Sequence, residues 1–520
     1  MGTRITNKII SNNAGYNIQI NKRALDKLAT QQATEKKIND PSDDPVVAMR
    51  SLRFRSSYSD ISQYLDKNLA DAKSWVDSSQ TALTEARDIV QSIKHEFTSG
   101  ANGTNKTSDR ETYLTQIRAL VDQYYSIGNS TNEDRYLFTG YRTSDSLTFT
   151  ENNIEERTKL VGDGNPAYDY VIEEEFDKDD ITSYSFLSNN VSDTDITEAT
   201  AETTPTNVAV ETDINEISGY RIRLAYDNID DSTTERTTTD LVPGKVTIDG
   251  TEYSVEYITD DTAAIDTTTN EITDGTIYVN TTTGNMIFGE TIKTAMAAAD
   301  DISFVYEKTE WSTGDLKPEH YFNCVDVALN EANSTKYPTI LEYDDAEQSM
   351  EYAVGNAQSI AINTNANDAF MTDVGRDIDE MEDILDSTKS AEQKLEKIKA
   401  ALEEDPTNEE LTYLKAAAEK ELDFYTSKLK DMFKDGITSS GNYYDQVNLA
   451  ATQSGTVQNR ITIITARLTE NKTTVQEQAS NNENVQLSDI AIDIQEATLI
   501  YNSSLIVTGK ISQQTLLNYI

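Results

Sequence analysis

The chain has 520 residues and a formal net charge of −46 at pH 7, because 90 Asp and Glu residues outnumber 44 Lys and Arg residues. Nucleic acids and anionic membranes repel so acidic a chain, which excludes both as partners. The single cysteine, Cys324, excludes an internal disulfide framework, and no run of about 18 apolar residues is present to span a membrane. The sequence starts without the apolar core of a secretory signal, so we expect a cytoplasmic protein or one exported without signal cleavage.

Both ends of the chain predict helices that carry apolar residues on two opposite faces. In the first helix, one face contains Ile5, Ile9, Tyr16 and Ile20, and the other contains Ile10, Ile18, Leu25 and Leu28. In the last helix, one face contains Ile490, Ile494, Ala497, Tyr501, Leu505 and Tyr519, and the other contains Ile492, Leu499, Ile506 and Leu517. A helix on a lone globule needs one apolar face. Pairing of the two termini would cover one face of each, so we expect a subunit of an assembly; the alternative is burial of both helices within one large monomer.

The segments next to the termini predict long helices. Apolar residues alternate at four- and three-residue spacing from Leu65 to Phe97, which predicts a helix from about residue 46 to 98, roughly 80 Å long. A second run, Leu114 to Tyr124, follows a capping box of Ser108 and Glu111. A third run extends from Val447 to Val475. Matching seams at both ends of the sequence predict one elongated bundle.

Residues 151–320 have a different character, with 30 threonines and 38 acidic against 10 basic residues. Short alternating runs predict hairpins, one of them from Gly244 to Tyr257 around Asp249-Gly250. A second joins Thr276–Val279 to Met286–Phe288. We therefore expect the α+β class: an elongated helical bundle or coiled coil built from both termini, with an all-β domain inserted in the middle.

Three further elements are predicted outside that insert. Strand pairs are expected near Arg135–Tyr141 and near Tyr352–Asn363. A helical hairpin is expected over about 375–436, interrupted at Glu404-Asp405-Pro406, with Thr407 and Glu410 capping its second helix.

The sequence contains no motif that predicts catalysis or metal binding. His95-Glu96 lacks a second histidine four residues on, because Ser99 occupies that position. Cys324 near His320 is more simply explained as a buried apolar side chain. The acidic groups lack the spaced carboxylates and glycine of an EF-hand loop. We expect no enzyme, cofactor or metal; the alternative is a protease or glycosidase domain within 151–320, where carboxylates are plentiful but no motif positions them.

Four short motifs resemble the flagellin superfamily and, within it, its hook–filament junction proteins. Asn39-Asp40-Pro41-Ser42-Asp43-Asp44-Pro45 is similar to their N-terminal signature, and its prolines Pro41 and Pro45 favour these proteins over flagellins. Arg135 to Tyr141, with Tyr136, Phe138 and Gly140, resembles the family's Tyr-Ile/Leu-Phe-x-Gly-Tyr strand. Gly314 to Cys324 and the ending Leu516-Leu517-Asn518-Tyr519-Ile520 also match stretches of these proteins. The resemblance covers about 1–150 and 315–520.

The resemblance implies a structural function without catalysis. A ring of these subunits would join the hook region to the flagellin filament, by self-assembly and folding of termini that are disordered alone; the alternative is flagellin, the bulk filament subunit. The implied partners are copies of the chain itself, flagellin, the adjacent hook-associated protein and a cytoplasmic export chaperone. The implied location is the extracellular flagellum, after export by the flagellar type III system without a cleaved signal peptide.

The resemblance also organises the chain into five segments. Residues 1–45 and 481–520 are expected to form the two halves of an inner coiled-coil domain, residues 46–150 and 321–480 a helical rod with the hairpin near 375–436, and residues 151–320 the β insert. The assembly interface is expected on both faces of the terminal helices, including Leu516 and Ile520. One departure lies at Thr34-Glu35-Lys36-Lys37, where the family commonly has Thr-Gly-Lys-Arg. Because the glycine is lost, we expect a continuous helix there.

Overall fold

A computed structural model describes residues 7–161, 166–200, 208–233, 241–266, 268–328, 343 and 348–517. The chain divides into two compact units. The terminal unit comprises residues 1–73, 352–360 and 459–520, and the central unit comprises residues 74–351 and 361–458. Within the described ranges, no helix is both long enough and apolar enough to cross a membrane.

The helices are α1 (Asn7–Thr34), α2 (Pro45–Gln63), α3 (Leu69–Gly100), α4 (Thr107–Gly128), α5 (Glu151–Val161), α6 (Asp193–Thr200), α7 (Glu290–Ala298), α8 (Ala366–Ala369), α9 (Asp373–Glu404), α10 (Glu409–Glu483) and α11 (Leu487–Leu517). The strands are β1 (Thr131–Asn132), β2 (Arg135–Tyr136), β3 (Tyr170–Phe176), β4 (Thr182–Leu187), β5 (Glu216–Arg223), β6 (Lys245–Ile248), β7 (Thr251–Ile258), β8 (Ile265–Asp266), β9 (Glu271–Ile272), β10 (Ile277–Asn280), β11 (Asn285–Phe288), β12 (Ile302–Lys308), β13 (Asn323–Asp326), β14 (Glu351–Gly355) and β15 (Gln358–Ala361).

The predicted long helix near the N-terminus is confirmed. Helix α2 continues into α3 through a π-helical turn over Tyr64–Asn68, and α3 ends at Gly100. The predicted seam is buried, with Val76, Leu83 and Val90 inaccessible to solvent. The cap of α4 lies earlier than predicted, because the Asp109 carboxylate, and not Glu111, accepts a hydrogen bond from the Lys106 backbone at 3.0 Å.

The helical hairpin is present, but its second helix is longer than the sequence predicts. Helix α10 has 75 residues, so the runs expected around 411–429 and 447–475 form one element. The Asn408 side chain caps it, accepting from the backbone of Glu410 at 3.1 Å and of Leu411 at 3.0 Å. The hairpin packs on the insert, since Leu395 and Leu414 share a buried cluster with Val191.

Eight strands of the insert and β13, which follows it at Asn323–Asp326, form a nine-stranded sheet in the order β13-β3-β12-β6-β7-β10-β11-β5-β4. Its neighbours are antiparallel except for the parallel pair β7 and β10. Both predicted hairpins form, and Asp249 and Gly250 have φ of +47° and +75°, as a type I′ turn requires. The α+β class is therefore confirmed. The insert also contains the short helices α5, α6 and α7, so it is β-rich and not purely β.

An ion-pair cluster attaches the sheet to α9. The Arg221 guanidinium donates to both carboxylate oxygens of Glu380, at 2.6 and 2.9 Å. Arg223 lies 2.7 Å from Asp377 on the same helix. Burial opposes the charge of Glu380, but Arg221 outweighs it and lowers the pKa of that carboxyl to about 2. The insert is thus held on the helices of the central unit by buried, charge-assisted bonds.

The expected continuous helix at residues 34–37 is wrong. Helix α1 ends at Thr34, and Glu35 adopts the left-handed conformation with φ of +54°. Tertiary hydrogen bonds hold this turn: the Val485 amide donates to the Glu35 carbonyl at 3.0 Å, and the Lys37 amide donates to the Glu483 carbonyl at 2.7 Å. These bonds to the α10–α11 connection stabilise a turn that a non-glycine residue rarely adopts on its own.

Helix packing in the central unit depends on close approach at a glycine of α10. Phe97 of α3 and Phe433 of α10 make an edge-to-face contact with ring centroids 6.1 Å apart. A Cβ atom at Gly436 would lie 2.5 Å from Cε1 of Phe97, which has no room to move because the side chain is buried.

Gly436→Ala should therefore destabilise the protein by about 1–3 kcal/mol, because the added methyl overpacks the core. The control is Gly455→Ala in the same helix, where the nearest atom to a new Cβ, Oε1 of Gln80, is 3.6 Å away. That change should stabilise by up to about 1 kcal/mol through helix propensity. Urea unfolding followed by circular dichroism measures both, and equal effects of the two substitutions would contradict the packing described.

Candidate assembly interface

The two terminal helices pair with each other. Helices α1 and α11 run antiparallel, since Lys36 bridges Asn484 and, further along, the Asn21 amide donates to the Ser504 hydroxyl at 2.6 Å. The face of α1 that contains Ile18, Leu25 and Leu28 is half-buried in this pair. The facing residues of α11 are Ile490, Ile494, Ala497 and Tyr501, of which Ile490 is fully buried. One predicted apolar face of each helix is thus covered within the chain.

The other predicted face of each helix is open to solvent. The exposed fractions range from 45% to 68% for Ile9, Tyr16 and Ile20 of α1 and for Ile492, Leu499 and Ile506 of α11. We call these six residues the open stripes. Ile10 and Leu505 are exposed as well, at 37% and 43%. Several large apolar side chains exposed side by side on paired helices are typical of an interaction site.

Five of the predicted interface residues lie near the two ends of the chain. Ile5, Tyr519 and Ile520 lie outside the described residues. Leu516 and Leu517 lie in the last turn of α11.

The Pro41–Pro45 motif forms the connection between α1 and α2. Asp44 caps α2, with its carboxylate accepting from the backbone of Val46 at 3.0 Å and of Val47 at 3.2 Å, and Pro45 occupies the first helical turn. Backbone hydrogen bonds from Asn39 and Asp40 lower the pKa of Asp43.

The same connection is fastened to α1. The Asp43 carboxylate lies 3.3 Å from Lys27 Nζ. Pro41 and Ser42 form the turn between these contacts. The motif therefore fixes the direction in which the chain leaves the α1–α11 pair.

Glu483, at the end of α10, joins this connection to the C-terminal half of the terminal unit. Its carboxylate accepts from the Arg55 guanidinium at 3.1 and 2.9 Å, from Lys36 Nζ at 3.1 Å and from the Ser51 hydroxyl. The hydrogen bonds from Arg55, with those from Ser51 and Lys36, lower the pKa of Glu483 to about 2 against the opposing effect of burial. The carboxylate thus stays charged at every physiological pH.

The second sequence motif, Tyr136 to Gly140, lies in the central unit. Phe138 is fully buried and packs on Phe370, with ring centroids 4.8 Å apart. Gly140 has φ of +58°, and the Gln348 side chain occupies the space that a Cβ atom would need. Tyr136 pairs with Thr131 in the strand pair β1–β2. This motif therefore supports the core of the central unit.

Cys324 and His320, which were considered as a catalytic pair, are core residues, whereas His95 is exposed. Burial raises the pKa of the Cys324 thiol and lowers the pKa of His320 to about 3, so neither is poised for proton transfer near neutrality. The His320 ring lies 3.2 Å from the Ser146 carbonyl oxygen. Among the described residues, no group of three or more His, Cys, Asp or Glu side chains could hold a metal ion.

Two features of the terminal unit were not predicted from the sequence. No sequence pattern indicates that Glu483 binds Arg55 and Lys36, because a single acidic residue at a helix end is common. The exposed apolar residues of α2, Val46, Met49 and Leu52, recur at three-residue spacing and were detectable by the periodicity that revealed the terminal helices.

Replacing the buried carboxylate should loosen the terminal unit. Glu483→Gln removes the charge that Arg55 and Lys36 neutralise, so stability at pH 7 should fall by about 2 kcal/mol. The folded pKa, about 2, lies below the ordinary value of 4.5, so this contribution is complete above about pH 4.5 and is lost as the pH falls towards 2.

The difference between the two proteins in free energy of unfolding should therefore shrink between pH 5 and pH 3 in urea titrations. Glu477→Gln is the matched control, because Glu477 is an exposed glutamate of the same helix. A pH-independent difference for Glu483→Gln would show that the ion pairs do not carry the effect.

Comparison with known proteins agrees with the sequence motifs. Residues 5–143 match the model of the bacterial flagellin N-terminal helical region. Over 138 residues the chain is 31% identical to flagellar hook-associated protein 3 of Escherichia coli (strain K12), which covers 26% of this chain and 41% of that protein. Over 127 residues it is 26% identical to a flagellin of Clostridium tyrobutyricum, which covers 24% of this chain and 33% of that protein.

A solved structure is also similar. The crystal structure of Xanthomonas campestris FlgL matches with a TM-score of 0.31 and 14% identity, over 82% of this chain and 99% of that one. The matches to curated relatives span less than half of their length, at 41% and 33%. The predicted resemblance to the flagellin superfamily and its hook-associated proteins is confirmed over the N-terminal region, by the family model and by flagellar hook-associated protein 3.

Proposed function

We propose that this chain is a structural subunit of the bacterial flagellum that joins the hook region to the flagellin filament. The observation that carries the proposal is the pair of open stripes on α1 and α11. Each terminal helix has one face covered by the other and one face exposed, so the pair is complete only when neighbouring subunits cover it. The similarity to flagellar hook-associated protein 3 supports the flagellum as that assembly.

The energetics favour ordering upon assembly. Burying one Ile or Leu side chain contributes about 1.5–3 kcal/mol, so the six residues of the open stripes would contribute on the order of 10 kcal/mol. Ordering the backbone costs about 1–2 kcal/mol per residue, which the single covered face offsets only in part. Neighbours that cover the open stripes would therefore add stability that the terminal helices lack in the isolated chain, which would favour ordering at a growing end.

The partners follow from this role. Copies of the chain would form a ring, with the adjacent hook-associated protein on one side and flagellin on the other. A cytoplasmic export chaperone would cover the open stripe of α11 before export, which would proceed through the flagellar type III system without a cleaved signal peptide. The five segments predicted from the sequence would then serve as inner coiled coil, rod and outward-facing insert. No catalytic step is part of this role.

Flagellin is the second candidate function, because the chain is also similar to a flagellin. The Pro41–Pro45 motif favours the junction protein. Copy number separates the two, since a flagellin dominates a preparation of sheared filaments and a junction protein is a trace component.

Gold-labelled antibody against the insert tests the location on isolated flagella. The proposal expects one ring of label at the boundary between hook and filament. Label along the whole filament would assign the chain to the flagellins, and flagella without label would overturn the proposal.

The role of the open stripe is tested in the same cells. Ile492→Asp with Leu499→Asp should abolish attachment of filaments and motility, because charge on the stripe prevents its burial. The matched control is Gln495→Asp with Asn502→Asp, which adds the same charge at polar exposed positions of α11. Normal motility of the Ile492/Leu499 variant would contradict the assignment of the stripe.

A further inference from the structure

We infer that helix α2 of one subunit docks on the first half of helix α11 of the next subunit. This inference rests on the proposed function and names two surfaces that would meet in the assembly. The two surfaces are one face of α2 and one face of α11, and the open stripe of α1 is not part of either. Because the two surfaces differ, the contact between subunits would be head-to-tail.

Helix α2 is almost uncovered in the chain. Of its 19 residues, Ser51 is the buried one. Val46, Met49 and Leu52 are exposed by 57%, 55% and 68%. At 100° per residue they lie on the side opposite Ser51, together with two exposed arginines, Arg50 and Arg53. Within the described part of the chain neither arginine has a salt bridge, so this face is both apolar and basic.

The first half of α11 presents the complementary surface. Asp489, Asp493 and Glu496 are exposed and lie, at 100° per residue, on one side of the helix with Ile492 and Leu499. The opposite side is the one covered by α1. This face is therefore apolar and acidic over about three turns, and the basic face of α2 extends over about two.

A second copy of the chain is the occupant that these charges select. With a net charge of −46, most surfaces of two copies repel each other, so a contact between copies needs a basic face opposite an acidic one. Both faces are exposed within the same chain, so they do not satisfy each other there. A contact between two different faces propagates head-to-tail and closes into a ring or extends as a helix, which is the symmetry that a flagellar subunit needs.

Charge reversal tests the docking in the full-length protein. We expect Arg50→Glu/Arg53→Glu, and separately Asp489→Arg/Asp493→Arg, to raise the concentration at which the chain associates in sedimentation velocity by about tenfold or more. The fourfold variant that combines both reversals should associate like the unmodified chain, and so should an equimolar mixture of the two double variants. The control Lys67→Glu/Arg460→Glu changes the net charge as the Arg50/Arg53 variant does, at exposed positions of the terminal unit, and should leave association unchanged.

The outcomes separate the inference from the proposed function. If the unmodified chain associates but the double variants associate equally well, or if the fourfold variant does not recover, docking of α2 on α11 is overturned and the proposed function stands. If the unmodified chain remains monomeric at every concentration and in the presence of isolated hooks, the proposed function fails and the inference fails with it.

Discussion

The antiparallel pairing of α1 with α11 is the interaction on which the rest of the account depends. It brings the first and last segments of the sequence together and covers one apolar face of each helix, with Ile490 as its most buried residue. The same pairing directs Tyr16 and Leu499 outwards, at 63% and 68% exposure. A contact within the chain thus leaves exposed the surface that we propose contacts other chains, which would link folding of the termini to assembly.

The direction of that surface is set by a small number of polar contacts. Glu483 gathers Lys36, Ser51 and Arg55 around one carboxylate, and Asp43 holds the start of α2 to Lys27 of α1. Because all of these lie between the paired helices and α2, they fix where α2 starts. The basic face of α2 and the acidic face of α11 are therefore both positioned by the same connection.

Much of the fold could be predicted because the spacing of apolar residues along the sequence indicates which side chains are buried. The seam of α3 and the alternation of β6 and β7 depend on which side chains face a core, and their local sequence states this directly. Asp249-Gly250 specifies its turn through backbone conformation alone. The open faces of the terminal helices could be predicted in the same way, since a second apolar face on a helix indicates that a further neighbour covers it.

The rest depends on contacts between distant residues, which local sequence does not state. The left-handed Glu35 is stabilised by the α10–α11 connection, more than four hundred positions away in the chain. The role of Glu483 is recognisable only from its ion pairs with Arg55 and Lys36, which the folded chain brings together. The short helices of the insert interrupt a threonine-rich sequence whose composition favours strands, so local propensity indicated the wrong element there.

Hydrogen exchange of the full-length chain tests the central claim most directly. In a dilute monomer, the amides of α1 and α11 should exchange much faster than those of the buried strands β3 and β12, and they should become protected when the chain is assembled at a hook end. Full protection of both terminal helices in the monomer at high dilution would contradict the account, because it would show that each helix is already complete within its own molecule.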